Sequence, residues 1–510
     1  MKSFAIFQIF SLEIWFYRIF FICLQTINRK SAMIRDYYIK NIYKQMSFTP
    51  TMEQETAIRL FADYMTCRDD DHPVFILNGA AGTGKTTLAA AIVKAMVEMK
   101  QKIVLMAPTG RAAKVFSLYA GQPAYTIHRR IYRQRSGAIG MDGFSLNDNL
   151  HTDTLFIIDE ASMIANQGYG DGGFGSGCLL DDLMRYVEAG RNCRVMLIGD
   201  RAQLPPVGED ESPALMPQVM GAYGHRVIYA TLNEVVRQEA DSGILWNATK
   251  VRQMADEEYL TELPKVCFHG FDDIMMTPGS ELIEQLAGSY SRAGIDDTIV
   301  ITRSNRLAIR YNNGIRNMVL GHEDELCSGD MLMIVKNNYF WTEKEKLSLP
   351  FIANGDRAKV ERVRNVRELY GFRFADVTIS LPDYDDIELT ATVNLNTLTS
   401  EAAALTREEN DLLFNNVMED YQHIPLKADR FKAIRQDIYF NALQVKYAYA
   451  VTCHKAQGGQ WSHVYVDQGW MTDDMLTPEY IHWLYTAFTR ATEKLYLVNW
   501  PEKQKELRHG

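Results

Sequence analysis

The chain has 510 residues, 47% hydrophobic and 23% charged, with a formal net charge of −10. That composition excludes a disordered or fibrous chain and suits about two to four packed domains. Seven cysteines (Cys23, Cys67, Cys178, Cys193, Cys267, Cys327, Cys453) form no C-x-x-C pair and no Cys/His cluster, which argues against a structural zinc site and for a reducing, cytoplasmic setting.

From the N-terminus, Phe4–Gln25 has the length of a membrane span, but Gln8, Glu13 and Arg18 interrupt it. A charge at the centre of a span costs about 2.5–3.5 kcal/mol on insertion scales. No small-residue cleavage site follows, so a signal peptide is also a poor reading. Residues 1–45 are taken as a leader from an over-extended translation start, with a peripheral helix or a real anchor as the alternatives, and no membrane partner is expected. A helix is expected over Met52–Tyr64. Strands follow at Val74–Leu77, Ile103–Ala107, Thr154–Ile158, Arg194–Ile198, Val227–Ala230, Thr298–Thr302 and Val464–Asp467. Amphipathic helices alternate with them, the pattern of a mostly parallel α/β sheet. Residues 166–178, NQGYGDGGFGSGC, form a glycine-rich surface loop. The segment 320–440 changes to short strands and turns, then an amphipathic helix near Glu401–Glu419, and is taken as an inserted β module.

Chemistry begins at Val74–Met96, VFILNGAAGTGKTTLAAAIVKAM. Gly79, Gly84, Lys85 and Thr86 complete G-x-x-x-x-G-K-[ST] at a strand–loop–helix junction. Glycines let backbone N–H groups and the helix N-terminus face phosphate. The nucleotide contacts expected are Gly79, Ala80, Ala81, Gly82, Thr83, Gly84, Lys85, Thr86 and Thr87, with Lys85 on the terminal phosphates and Thr86 on Mg²⁺. LFIIDEAS ends a strand in Asp159-Glu160: the first carboxylate can hold Mg²⁺ and the second can activate water. VMLIGDRAQLPPV places Gln203 three residues after Asp200, where a polar side chain can sense a phosphate. Arg237 and Arg490 are candidate cations for charge on a transferring phosphoryl group. A single arginine is more often a surface or ion-pair residue, so both stand on the company they keep.

In order along residues 48–500, these motifs resemble superfamily 1 helicases of the 5′-to-3′ RecD/Dda-like class. FTPTMEQETAI resembles the adenine-reading segment, which implies Gln54 on the base. GAAGTGKTT, APTGRAAK, TIHRRIY, IIDEASM, GDRAQLPPV, EVVRQ, AVTCHKAQGGQW and YTAFTRA match successive family motifs. The resemblance implies an α/β fold of two RecA-like P-loop domains clamping ATP. These are 46–235, with a pin insertion at about 133–152, and 236–319 with 441–510; 320–440 becomes an SH3-like β insertion plus a helix. It further implies Arg237 and Arg490 arriving from the second domain, Gly459 near the nucleotide, and DNA contacts from Pro108, Thr109, Arg111, Thr126, His128 and His454. The implied partners are single-stranded and forked duplex DNA, and a replication or repair protein. The implied state is a monomer acting in repair or recombination. The pin candidate, Ser136–His151, is short and offers Phe144 as its aromatic wedge. The glycine-rich loop has no counterpart in the family, and no nuclease signature is present.

Net charge argues against broad affinity for nucleic acid, yet a strand channel needs only a local basic stripe. Two segments offer one: RRIYRQR (Arg129–Arg135) and DRAKVERVRNVR (Asp356–Arg367). The rivals to a motor are a nucleotide switch and an ATPase subunit that does not itself unwind. A GTPase should carry N-K-x-D; the chain offers only Leu426-Lys427-Ala428-Asp429.

Overall fold

Every run expected as a strand is a strand in the computed structural model, which describes residues 32–67, 72–134, 144–168, 175–234, 242–255, 260–347, 349 and 351–506. In chain order the first eight are β1 (Val74–Gly79), β2 (Lys102–Ala107), β3 (Ala124–Thr126), β4 (Tyr132–Gln134), β5 (Phe144–Leu146), β6 (Thr154–Ile158), β7 (Arg194–Gly199) and β8 (Val227–Leu232). Six of them form one sheet in the order β3-β2-β6-β7-β1-β8, parallel throughout. Every residue of β1 and of β6 is buried, as parallel strands covered by helices on both faces require. β4 and β5 stand apart as an antiparallel hairpin, with Gln134 opposite Phe144; residues 135–143 of the expected pin lie outside the described residues.

The helix Met52–Thr66 starts from a capping box in which Thr51 and Gln54 satisfy each other's backbone N–H groups. Its Phe61 and Tyr64 pack with Phe75 on one face of the sheet. Tyr38 and Ile42 join that same core from a helix over residues 32–45, and Arg35 pairs with Asp63 at 3.0 Å. Residues 32–45 thus pack against the core of the first domain. Burying an isoleucine returns about 1.5–3 kcal/mol, which a tail does not forgo. Phe4–Gln25 lies outside the described residues, and among those described no helix is long and apolar enough to cross a membrane.

The remaining strands are β9 (Ile274–Thr277), β10 (Thr298–Thr302), β11 (Met331–Ile334), β12 (Arg357–Leu369), β13 (Phe372–Leu381), β14 (Ile387–Asn394), β15 (Leu443–Tyr447), β16 (Ala450–Thr452), β17 (Trp461–Asp467) and β18 (Ala491–Val498). A second parallel sheet runs β16-β10-β17-β18-β9, and β11 to β15 close into a barrel. The barrel reaches past residue 440, where the sequence reading ended the insertion, because it closes on β15, which pairs with both β11 and β14. Only Ala448 and Tyr449 separate β15 from β16. The Tyr449 carbonyl accepts from Val300 N–H (3.0 Å) in the sheet, while its hydroxyl donates to Asp330 at the foot of the barrel (2.8 Å). The architecture is two RecA-like α/β domains, the first carrying a small hairpin and the second an SH3-like barrel.

Candidate nucleotide cleft and strand groove

β1 ends at Gly79, and the loop after it passes through Gly82 and Gly84, both at φ +79°. That left-handed conformation is open to glycine without a Cβ clash, and it turns the chain directly into the helix Lys85–Glu98. The unpaired N–H groups of the first turn, Lys85, Thr86 and Thr87, therefore face the loop's hollow, as an anion cradle requires. Lys85 Nζ donates to the carbonyls of Gly79 (2.6 Å) and Ala80 (2.8 Å). The Thr83 hydroxyl donates to Ala80 O at 2.8 Å, and Thr83 O accepts from Gln54 Nε2 at 2.9 Å. Gln54 is fully buried, and its Oε1 accepts from Thr51 N–H. The residue expected on the base is thus bonded to the backbone of the cradle itself.

β6, β7 and β1 are neighbours, so their C-terminal ends bring Asp159-Glu160 and Asp200 beside the cradle. Asp200 is fully buried, with Oδ2 3.9 Å from Lys85 Nζ. Burial weakens the hold of Lys85 on its proton; Asp200, Glu160 and Asp159 oppose that, in this order. Burial, with the charge of Glu160 next, pushes the Asp159 carboxyl upward, against the Glu160 N–H that donates to it (2.9 Å) and the Lys85 charge. A cation beside Asp159 would favour its carboxylate form, so this oxygen donor fits a Mg²⁺ site. Glu160 sits at φ 53°, ψ 38°, strain of order 1–3 kcal/mol that persists where surrounding structure enforces it.

The second domain closes this cleft. From its helix Pro478–Phe488, Tyr485 donates to Asp200 Oδ2 (2.5 Å) and accepts from Ala81 N–H (2.8 Å). Gln203 is buried beside this contact, its N–H donating to Asp200 O at 3.1 Å. Its side-chain oxygen is buried without a hydrogen-bond partner among the described residues. Arg490 is 3% exposed and donates to Thr486 O (3.1 Å), Gly459 O (3.2 Å) and Thr489 Oγ1 (3.1 Å). Gly459, expected at the nucleotide, is the carbonyl partner of that arginine. Arg237 lies outside the described residues. Sequence reasoning passed over Arg252, on the helix Gly243–Ala255, whose Nε lies 3.9 Å from Asp200 Oδ1. The signal was present: Leu245 and Ala248 are buried, and position 252 continues their i, i+3, i+7 stripe.

Three of the strand-contact candidates, Pro108, Thr109 and Arg111, lie where the two domains meet. The Thr109 hydroxyl caps the helix Gly110–Ala120 by accepting from Ala112 N–H at 3.2 Å. A Cβ on Gly458 of the second domain would come within 3.1 Å of that hydroxyl. Pro108 is half-buried beside it. Arg111 lies over the Trp461 ring at 4.1 Å and donates to Gln460 O. Thr126 is buried and caps Ile127–Ile131. Burial alone pulls the His128 imidazole down to about 4, so it is neutral at physiological pH; burial lowers His454 too, against Glu479. These histidines therefore offer hydrogen bonds and not charge.

The two basic segments meet, and several of their arginines are paired with acids. Arg129 Nη2 pairs with Asp356 at 3.3 Å and donates to Phe351 O at 2.8 Å. Arg130 contacts His151 at 2.7 Å, Arg133 pairs with Asp148 at 2.6 Å, Arg357 with Asp383 at 3.2 Å and Arg367 with Asp376 at 2.5 Å. Acids interspersed in the sequence neutralise the arginines within reach, which a count of basic residues does not register. Phe144, the expected wedge, lies against Tyr339 of the other domain, with ring centroids 4.4 Å apart.

Residues 53–266 match the family model of an AAA domain, and residues 447–498 match that of a UvrD-like helicase C-terminal domain. The ATP-dependent RecD2 DNA helicase of Deinococcus radiodurans is 33% identical over 178 residues, and the ATP-dependent DNA helicase dda of phage T4 is 30% identical over 192. Over these stretches the chain is similar to ATP-dependent DNA helicases of the RecD2 and Dda kind. This chain spans only part of those relatives, 21% of the Deinococcus protein and 39% of the phage protein. It also aligns, at 22% identity, along 98% of the uncharacterized protein R530 of Acanthamoeba polyphaga mimivirus, over 87% of its own length. Among solved structures, the Pif1 helicase from Bacteroides in complex with ADP-AlF3 and ssDNA overlays with a TM-score of 0.45 at 15% identity, covering 91% of this chain and 95% of that one. The two sheet orders and the barrel, not that overlay, define the fold of this chain.

Proposed function

We propose that the chain is an ATP-dependent DNA helicase that translocates 5′ to 3′ along a single strand, in DNA repair or recombination. The observation that carries this is the shared cleft: one helix of the second domain bonds both to the phosphate cradle and to Asp200, so phosphate chemistry and domain position are joined. The cradle N–H groups and Lys85 hold the phosphates of ATP, and Thr86 with Asp159 holds Mg²⁺, which supplies charge neutralisation when bound. Glu160 takes the proton from the attacking water. Gln203 answers to the terminal phosphate, and Arg237, Arg490 and Arg252 approach from the second domain. Pro108, Thr109, Arg111, Thr126, His128 and His454 line the strand groove, where Thr109 abuts Gly458. A ligand that binds the closed cleft better shifts the two domains' grips on the strand.

A second reading, an ATPase stimulated by DNA that does not unwind unaided, is favoured by Phe144, the pin's expected wedge, whose ring is covered by Tyr339 and Phe351. The full chain should be assayed for ATP hydrolysis and strand separation on forked duplexes bearing only a 5′ tail or only a 3′ tail. Unwinding of the 5′-tailed fork alone, with stimulated hydrolysis, supports the motor and its direction. Stimulation without unwinding selects the second reading, and hydrolysis indifferent to DNA removes both.

A further inference from the structure

One face of the helix Pro478–Phe488 is turned to the loop between Asp200 and Leu204. His482 Nδ1 donates to Ala202 O at 2.8 Å, Tyr485 donates to Asp200 Oδ2 at 2.5 Å, and the Thr486 hydroxyl accepts from Leu204 N–H at 2.8 Å. Spacings of three and four residues make this a single helical stripe. Tyr485 differs from its neighbours in reaching further: its oxygen also accepts from Ala81 N–H, inside the phosphate cradle, at 2.8 Å.

The Tyr485 hydroxyl is therefore fixed on both sides, by a donor in the cradle and an acceptor in Asp200. Its ring is 1% exposed, and burial with the neighbouring Asp200 charge keeps the phenol protonated. Asp200 in turn accepts from Ala202 N–H at 3.0 Å and stands 3.9 Å from both Lys85 Nζ and Arg252 Nε. Cradle, lysine, arginine and helix thus converge on one carboxylate. Packing does not require this, since a phenylalanine would fill the same space. Nor does docking, since His482 and Thr486 already anchor the loop.

We propose that Tyr485 is a positioning residue that couples the phosphate cradle to the second domain through Asp200. The inference rests on the motor reading above. Hydrogen bonds weaken steeply as they stretch or bend, so a shift of Ala81 toward a bound phosphate pulls on the helix. From there the displacement passes one turn on, through the Arg490 bond to Thr486 O (3.1 Å).

The test compares full-length wild type, Tyr485→Phe and Thr486→Ala for ATP hydrolysis with and without oligothymidylate, and for binding of a fluorescent ADP analogue. Losing a hydrogen bond to a charged group predicts that Tyr485→Phe lowers DNA-stimulated kcat by about tenfold or more, with KM for ATP and affinity for the analogue within about threefold. Thr486→Ala cuts a loop anchor and spares the cradle contact, so it should cost less than about threefold. The double variant Asp200→Asn/Tyr485→Phe should be no worse than its worse single, because both cut one link. Wild-type kcat in Tyr485→Phe overturns the proposal. So does an equal loss in Thr486→Ala, which would make the tyrosine one anchor among several. If wild-type hydrolysis ignores DNA, the motor reading fails by itself, and the same comparison in DNA-independent kcat decides the tyrosine.

Discussion

Arg129→Met tests the contact by which the barrel grips the first domain. Both partners are buried, with the Arg129 and Asp356 side chains 8% and 1% exposed, and the guanidinium lies 4.1 Å from the Tyr384 ring. Asp356 also accepts from Tyr384 Oη (2.6 Å) and Ala353 N–H (2.7 Å). Burial raises its carboxyl to about 6, with Arg129 the first opposing influence. Removing the cation strands a buried carboxylate, at a cost of about 3–5 kcal/mol. That carboxylate has one escape, which is to take a proton, and each pH unit below its pKa relieves about 1.4 kcal/mol of the burden. The sign follows from a folded pKa raised above the unfolded value: the proton-linked stability is fully present below about pH 4 and is lost as pH rises through about 6. Without Arg129 the folded pKa rises further, so the gap between variant and wild type widens above pH 6. We expect Arg129→Met to be about 3 kcal/mol less stable at pH 8, roughly a 6 °C fall in Tm, and only about 1 kcal/mol less stable at pH 5.5. Arg129→Met/Asp356→Asn, which removes the stranded charge, should recover most of the loss at pH 8. Thermal unfolding followed by near-UV circular dichroism at both pH values measures this. A pH-independent difference, or a double variant no better than the single, would refute the reasoning.

Gly110→Ala should loosen the same contact, because a methyl group there collides with the Tyr384 hydroxyl and meets Asp356 Oδ1 at 2.9 Å; overpacking of this kind costs about 1–3 kcal/mol, read as a lower Tm. Glu160→Gln should lower kcat for ATP by about 10²–10⁴ while leaving binding of a fluorescent ADP analogue intact, and normal turnover would remove Glu160 as the base. Lys85→Ala should abolish turnover and weaken binding together, measured by the same two assays. Gln54→Ala should cost about 1 kcal/mol through its capping box and raise KM for ATP by loosening the backbone of the cradle at Thr83; an unchanged KM would confine Gln54 to the cap.

The cradle and the first sheet apart from its edge strand β3 were legible because their signals are local. A run such as Val74–Gly79, buried at all six positions, announces a parallel strand, and the glycines after it leave few conformations for the turn. β9 escaped notice because it is the edge of its sheet, with two of its four residues only partly buried or exposed, so its apolar pattern is weak. β18 begins Ala491-Thr492-Glu493-Lys494 and resembles a surface turn until its second half. The partners of Arg129 and Tyr485 were hidden for a different reason. Asp356 is 227 residues from Arg129, and Asp200 is 285 from Tyr485; no spacing rule operates over such separations. Arg252 lay between these cases, since its helix phase placed it on the buried face although no motif drew attention to it.

The junction at Ala448 and Tyr449 has a mechanical consequence. With one residue hydrogen-bonded into both the second sheet and the foot of the barrel, the barrel has no joint of its own and turns wherever that sheet turns. The second domain thus touches the first at separated places, across Asp200, beside Thr109 and Arg111, and at Arg129, and a body held at several points cannot simply back away. If the cleft widens while Arg129 stays paired, the motion is a rotation about that pair. The ion pair then serves as a fulcrum and the barrel wall as a lever arm, and the travel at the strand groove is set by how far the groove lies from the pivot.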